Sequence, residues 1–144
     1  MLNFYRPPLE TAGQTLQQFG TDRQDIEAQF RASLVSFINV SKAWGIQPIL
    51  MTQANRIFKE DAQFQNYYST RDGSPYDPEE FIEIYATFNE ITREVADAAS
   101  IVLIDLDTAV PRDDAHIYDT IHLTDAGSIV AAKTIMETLE TALK

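Results

Sequence analysis

The sequence predicts an α/β fold built on a parallel sheet, and three observations predict it. Three apolar stripes recur at helical spacing, two short apolar runs without polar alternation separate them, and the order is helix, strand, helix, strand, helix. A strand that alternates apolar with polar residues faces water on one side, whereas an unbroken apolar run suits a strand covered on both faces. Helices lying between such strands act as crossovers, for which a right-handed sense is expected. With 144 residues, 44% of them hydrophobic, the chain is long enough for one domain, or part of one, with a real core.

Residues 1–20 carry Pro7-Pro8, Gly13 and Gly20 with no period among their apolar residues, and read as loop. Thr21-x-x-Gln24 is a capping-box signal for the first helix. Ile26, Phe30, Leu34, Phe37, Ile38 and Ser41 follow at spacings of three and four, which predicts one inward face ending at Gly45 as a left-handed cap. Ile46 to Thr52 is the first strand, with Pro48 placing it at a strand start or a sheet edge. Gln53 to Tyr76 shows no clear period and reads as a long excursion at the carboxyl end of that strand. Its tyrosines either line a substrate groove or pack locally.

Asp77-Pro78-Glu79-Glu80 starts the second helix with a capping side chain, a proline in the first turn and two acids at the positive end of the dipole. Phe81, Ile84, Tyr85, Phe88, Ile91 and Val95 form its apolar stripe, which reads as core. Ile101 to Leu106 is the second strand, and Asp105 and Asp107 at its carboxyl end read as structural caps for the next loop. The last helix runs from Thr124 as cap to about Leu143, with Ile129, Val130, Ile135, Met136, Leu139 and Leu143 inward. Gly127 in its first turn allows close packing near His122.

The chemistry-bearing stretch is Tyr118-Asp119-Thr120-Ile121-His122-Leu123-Thr124, a loop leading into that helix. An imidazole takes a proton near neutral pH only when one ring nitrogen is held as donor and the other is left free. Asp119, three residues before His122, would accept from the ring, and His122 would act as general base and then general acid in an acyl transfer. An isolated D-x-x-H is also a common surface pattern, so context decides between the two.

The run Asp119-Thr120-Ile121-His122-Leu123-Thr124-Asp125-Ala126-Gly127, after the strand-like Ile101 to Leu106 and before an apolar helix, resembles the C-terminal block of the SGNH (GDSL-type) hydrolases. Trp44-Gly45-Ile46-Gln47-Pro48-Ile49-Leu50-Met51-Thr52-Gln53 resembles their penultimate strand, and the likeness covers roughly residues 20 to 144 in element order. It implies a flavodoxin-like three-layer α/β/α domain with about five parallel strands, of which this chain supplies about two strands and three helices. It also implies ester or acetyl-ester hydrolysis, with His122 and Asp119 as base and orienter, no cofactor, no metal, and a small-molecule, carbohydrate or lipid ester as substrate.

The chain departs from that pattern in one respect. The family's Gly-Asp-Ser and Gly-x-Asn-Asp blocks are absent. Asp72-Gly73-Ser74-Pro75 holds similar letters in another order, so Ser74 reads as a turn residue, and Asn3 lacks the following aspartate and receives no role. Residues 1–144 therefore read as the C-terminal part of one SGNH-like domain, without nucleophile or oxyanion donors and inactive alone. Two strands leave an open sheet edge, so self-association or loose packing is expected.

Two other readings stay open. Asp113, Asp114, His116, Asp119 and His122 are five donors within ten residues, a density compatible with a divalent metal, although the histidine spacing is not that of H-E-x-x-H. A non-catalytic α/β module that binds a partner fits the missing nucleophile. Ser33, Ser36, Ser41 and Ser128 sit within helical patterns and read as packing or surface residues. The balance of 11 basic against 22 acidic residues, net -11, argues against nucleic acid and anionic membranes as partners. Cysteine is absent, which excludes disulfides and thiolate metal sites and leaves the compartment open. No apolar run approaches the ~18 residues of a membrane span, and Met1 to Pro8 lacks the pattern of a signal peptide.

Overall fold

The computed structural model describes residues 23–70 and 77–142. The loop expected over 1–20, Asn3, the Thr21 cap, the Ser74 turn and Leu143 lie outside the described residues. The element order is α1 (Arg23–Ala43), β1 (Ile49–Met51), α2 (Ala62–Thr70), α3 (Pro78–Ala98), β2 (Val102–Ile104), α4 (Leu106–Ala109) and α5 (Asp125–Ala142). This is a mixed α/β arrangement, mostly helical, on a two-stranded parallel sheet. Ile49 pairs with Val102, Leu50 with Leu103 and Met51 with Ile104.

α1 packs along α3, and Phe30, Leu34 and Ile38 reach the same apolar cluster as Leu50, Ile91, Val95 and Ala96. It stops in a Schellman turn. The Gly45 N–H donates to the Lys42 carbonyl at 3.0 Å, the Ile46 N–H donates to the Ser41 carbonyl at 2.9 Å, and Gly45 takes φ +70°. Phe37, expected inward, is 51% exposed. The step from Phe30 through Leu34 to Ile38 fixes the buried face, and Phe37 lies about 100° around the helix from Ile38.

α3 begins with the full capping box. Asp77 accepts the Glu80 N–H at 2.8 Å, Glu80 returns to the Asp77 N–H, and Pro78 stands in the first turn. Two polar residues interrupt its buried face. Thr92 bonds back to the Phe88 carbonyl, whereas the Asn89 amide accepts the Gln53 N–H at 2.9 Å and donates to the Gln53 carbonyl at 3.0 Å. That side chain gives the main chain just past β1 the two bonds a neighbouring strand would give.

The sheet divides two cores. Leu50 and Leu103 face α1 and α3, while Ile104 joins Ala54, Leu106, Val110, Ile117 and Ala131 on the α5 side. β1 was expected to be covered on both faces, but Ile49 and Met51 are exposed while Leu50 is buried. The reason is the placement of α5, which packs on β2; among the described residues no helix crosses β1 on that side. Ile129 and Met136 of α5, also expected inward, are exposed because Gly127, Val130, Ala131 and Ile135 form the face that meets β2 and α4.

The region Gln53 to Tyr76 contains a helix that the sequence did not announce. Asp61 caps α2 by accepting the Phe64 N–H at 2.9 Å, and Phe64 is fully buried. Tyr67 and Tyr68 lie one turn on, and Phe64, Tyr67 and Tyr68 all contact Phe81 at ring separations of 5.8–6.5 Å. Phe64, Tyr67 and Tyr68 thus pack on α3.

Polar residues gather at the carboxyl end of β2. Asp105 caps α4, and its carboxylate takes the Arg93 Nε and Nη2 at 2.9 and 2.8 Å and the Thr52 hydroxyl at 2.7 Å. Asp107 receives Arg93 at 2.8 Å, together with Arg112 and Asn55, and so ties α3, α4 and the segment after β1 together without capping the loop. The Arg93 hydrogen bonds hold the Asp105 carboxyl far below the ordinary carboxylate range, burial opposing them and the Thr52 and Thr108 hydroxyls assisting.

An aspartate depressed in the folded state contributes stability that is complete above its unfolded value, about 4, and is lost as the pH falls toward the folded one. Urea unfolding midpoints should therefore fall as pH drops from about 5 to about 2, and less steeply in Arg93→Met. Parallel slopes for the two proteins would remove Arg93 as the cause. Separately, Phe37, Val40, Trp44, Ile46, Ile49 and Met51 expose apolar surface around β1. Concentration-dependent association is expected in light scattering; a monomer with a sharp melt and no binding of a hydrophobic dye would contradict it.

Candidate active site

The Asp119 loop lies beyond the carboxyl ends of both strands, and three local interactions shape it. The Tyr118 N–H donates to the His122 carbonyl at 3.0 Å, next to an antiparallel bridge between Ile117 and Leu123, which closes the loop at its neck. Asp119 Oδ1 accepts the Ile121 and His122 N–H groups, each at 2.8 Å, and Oδ2 lies 2.6 Å from His122 Nδ1. An aspartate that binds the amides two and three residues ahead forms a tight turn, and the third residue's side chain then falls beside the carboxylate. The spacing thus carries its own geometry.

Electrostatics follow the same contacts. Burial pushes the Asp119 carboxyl up, but the His122 and Ile121 amides and the His122 ring outweigh it, leaving the group below its ordinary value. Asp119 is then ionised at neutral pH and holds Nδ1 as a donor. The His122 ring is 61% exposed, with no hydrogen bond to its Nε2 among the described residues. Tyr118 stacks on it, centroids 5.7 Å apart and planes at 19°.

What anchors the loop comes from far away in sequence. Arg56, after β1, is buried and donates from Nη1 to the Ile117 carbonyl at 2.7 Å, while its main-chain N–H donates to the Thr120 carbonyl at 2.8 Å. Its Nε and Nη2 reach Asp61, itself buried, so the cap of α2 also neutralises the cation under the loop. On the other side, Thr124 caps α5 through the Gly127 N–H, and its own N–H donates to the His116 carbonyl at 2.9 Å. Gly127 is close-packed as expected, but against His116 and not His122: a Cβ there would collide with the His116 carbonyl oxygen.

The structure also holds a second pair of the same kind. Asp113 Oδ1 accepts the His116 N–H at 3.0 Å and lies 2.7 Å from His116 Nδ1, and that ring contact holds the Asp113 carboxyl below its usual range. Of the five donors that suggested a metal, four are thus sorted into two separate aspartate–histidine pairs, and Asp114 is exposed. Among the described residues no group of three or more such side chains is placed to hold an ion. Nor does any described serine bond to His122; Ser33 and Ser69, for example, donate to helix carbonyls. Comparisons with protein families, with curated proteins and with solved structures find no match to this chain. Among the described residues no helix is long and apolar enough to cross a membrane.

Arg56 and Asp61 lie only five positions apart, but the burial that makes the pair an anchor comes from the Ile117 loop, far away in sequence, and the polar-rich Thr52 to Asp61 stretch gives no sign of it. Arg56→Met should cost about 3–5 kcal/mol in urea unfolding, because it strands the buried Asp61 charge and frees the Ile117 carbonyl, while the main-chain bond to Thr120 survives. A loss below about 1 kcal/mol would show that the loop does not depend on this anchor.

Proposed function

We propose that these residues form the base-and-orienter part of an SGNH-type hydrolase acting on ester or acetyl-ester bonds. In this reading the chain contributes the last two strands and three long helices of a flavodoxin-like three-layer domain. The observation that carries it is the 2.6 Å contact between Asp119 and an exposed His122, beyond the carboxyl ends of parallel strands, where α/β folds gather their catalytic groups. His122 Nε2 would remove the proton from a serine hydroxyl as that oxygen attacks the ester carbonyl, then return it to the leaving alcohol. Asp119 would keep Nδ1 protonated and stabilise the transient imidazolium. In this reading the serine and the oxyanion donors would be supplied by residues other than those described.

The Asp113–His116 pair favours a second reading, a non-catalytic α/β module. The same turn geometry arises there beside a half-buried ring, so an aspartate on Nδ1 is not by itself catalytic.

A double-mutant cycle separates the two, measured as kcat/KM for an acetyl ester in the natural polypeptide that carries these residues. His122→Ala should lower the rate by several orders of magnitude. Asp119→Asn should come within roughly ten- to a hundredfold of it, and the double mutant should be little worse than His122→Ala, because the two act as a unit. Additive losses would break the dyad, and unchanged turnover in His122→Ala would favour the non-catalytic module.

A further inference from the structure

We infer that Tyr118 is a positioning residue for His122, its ring fixing the imidazole from one face while Asp119 fixes it from one edge. The inference rests on His122 serving as the base, but its geometry stands independently. The Tyr118 N–H to His122 carbonyl bond brings the two residues together at the neck of the loop, and their rings stack at 5.7 Å and 19°. Tyr118 is 56% exposed, so the contact is not forced by a surrounding core.

One hydrogen bond at Nδ1 is a hinge: the ring can still swing about it and exchange rotamers, as exposed side chains do within nanoseconds. A ring laid on the face removes that freedom, favouring the stacked orientation by about three- to tenfold.

His116 provides the comparison within the same chain. It has an equivalent aspartate, at 2.7 Å from Nδ1, but among the described residues no aromatic ring lies on it. Its side chain is only 24% exposed against 61% for His122, so packing restrains it. A base that must meet a substrate cannot be restrained by burial. A single aromatic ring on one face leaves the other face and Nε2 reachable, and that is the arrangement at His122.

The test uses the 144-residue chain with 15N-labelled histidine, at about pH 8, where an ordinary imidazole is neutral. Two-bond proton–nitrogen spectra report each ring's tautomer, and side-chain couplings report its rotamer. In Tyr118→Ala, His122 is expected to show averaged couplings while the Asp119 contact keeps its Nδ1–H tautomer and His116 stays unchanged. Tyr118→Phe, which keeps the ring and removes the hydroxyl, should restore the defined couplings. Wild-type His122 couplings in Tyr118→Ala overturn the proposal, as does failure of Tyr118→Phe to restore them. A parallel change at His116 also overturns it, since Tyr118 would then be holding the whole loop. Asp119→Asn in the same spectra probes the dyad itself: an unaltered His122 tautomer there would remove the basis of the proposed function without touching the Tyr118 result.

Discussion

Arg56 is the group on which the carboxyl end of the sheet depends. A guanidinium cannot shed its charge inside a protein, so burial obliges the chain to surround it with acceptors. Asp61 supplies the counter-charge and the Ile117 carbonyl takes a further donor. Each acceptor belongs to a different segment. By satisfying one buried cation the protein fixes the start of α2, the exit from β1 and the base of the Asp119 loop against one another. The apolar core cannot give that definition, because Ile117 and Val110 are buried beside neighbours with no directional demand.

Much of this was legible in the sequence where the determinant is local. The capping box at Asp77 and Glu80, the Schellman end at Gly45 and the Asp119–His122 contact all join residues a few positions apart, where spacing fixes geometry. The apolar period of α1 and α3 was legible for the same reason. Phe37, Ile129 and Met136 were misplaced because a period marks a stripe without fixing which residues at its margins meet another element. α2 was missed because its signal, Phe64, Tyr67 and Tyr68, is one turn long inside a polar segment. Arg56 and Arg93 were not legible as hubs, since they join acceptors on other segments, the Ile117 carbonyl 61 positions from Arg56 and the Asp105 carboxylate 12 from Arg93. The strands themselves are shorter than the apolar runs that announced them: Pro48 delays β1, and the cap at Asp105 ends β2.

The two faces of the sheet are unequal. α1 and α3 close one side over Leu50 and Leu103, helped by Arg31–Glu94 and Arg23–Glu83 pairs across the helices. Those exposed pairs add little stability, but they fix how the helices align. On the other side α5 reaches β2 alone. The polar end of the molecule is therefore better determined than the apolar margin of β1, the reverse of the usual division in which the core is specific and the loops are loose.

Gly127 gives the loop a property that no side chain in it possesses. With bare Cα against the His116 carbonyl, the first turn of α5 touches main chain directly, and Thr124 binds that same carbonyl. The His116 peptide thus serves as a fixed abutment for the helix, and the residues from 117 to 123 must span a set distance between two points on it. Their number becomes a matter of arithmetic: one residue added or removed would turn the imidazole toward the protein interior or lift the helix from its seat. Substitutions within the span change the chemistry, whereas a change in its length would abolish the site.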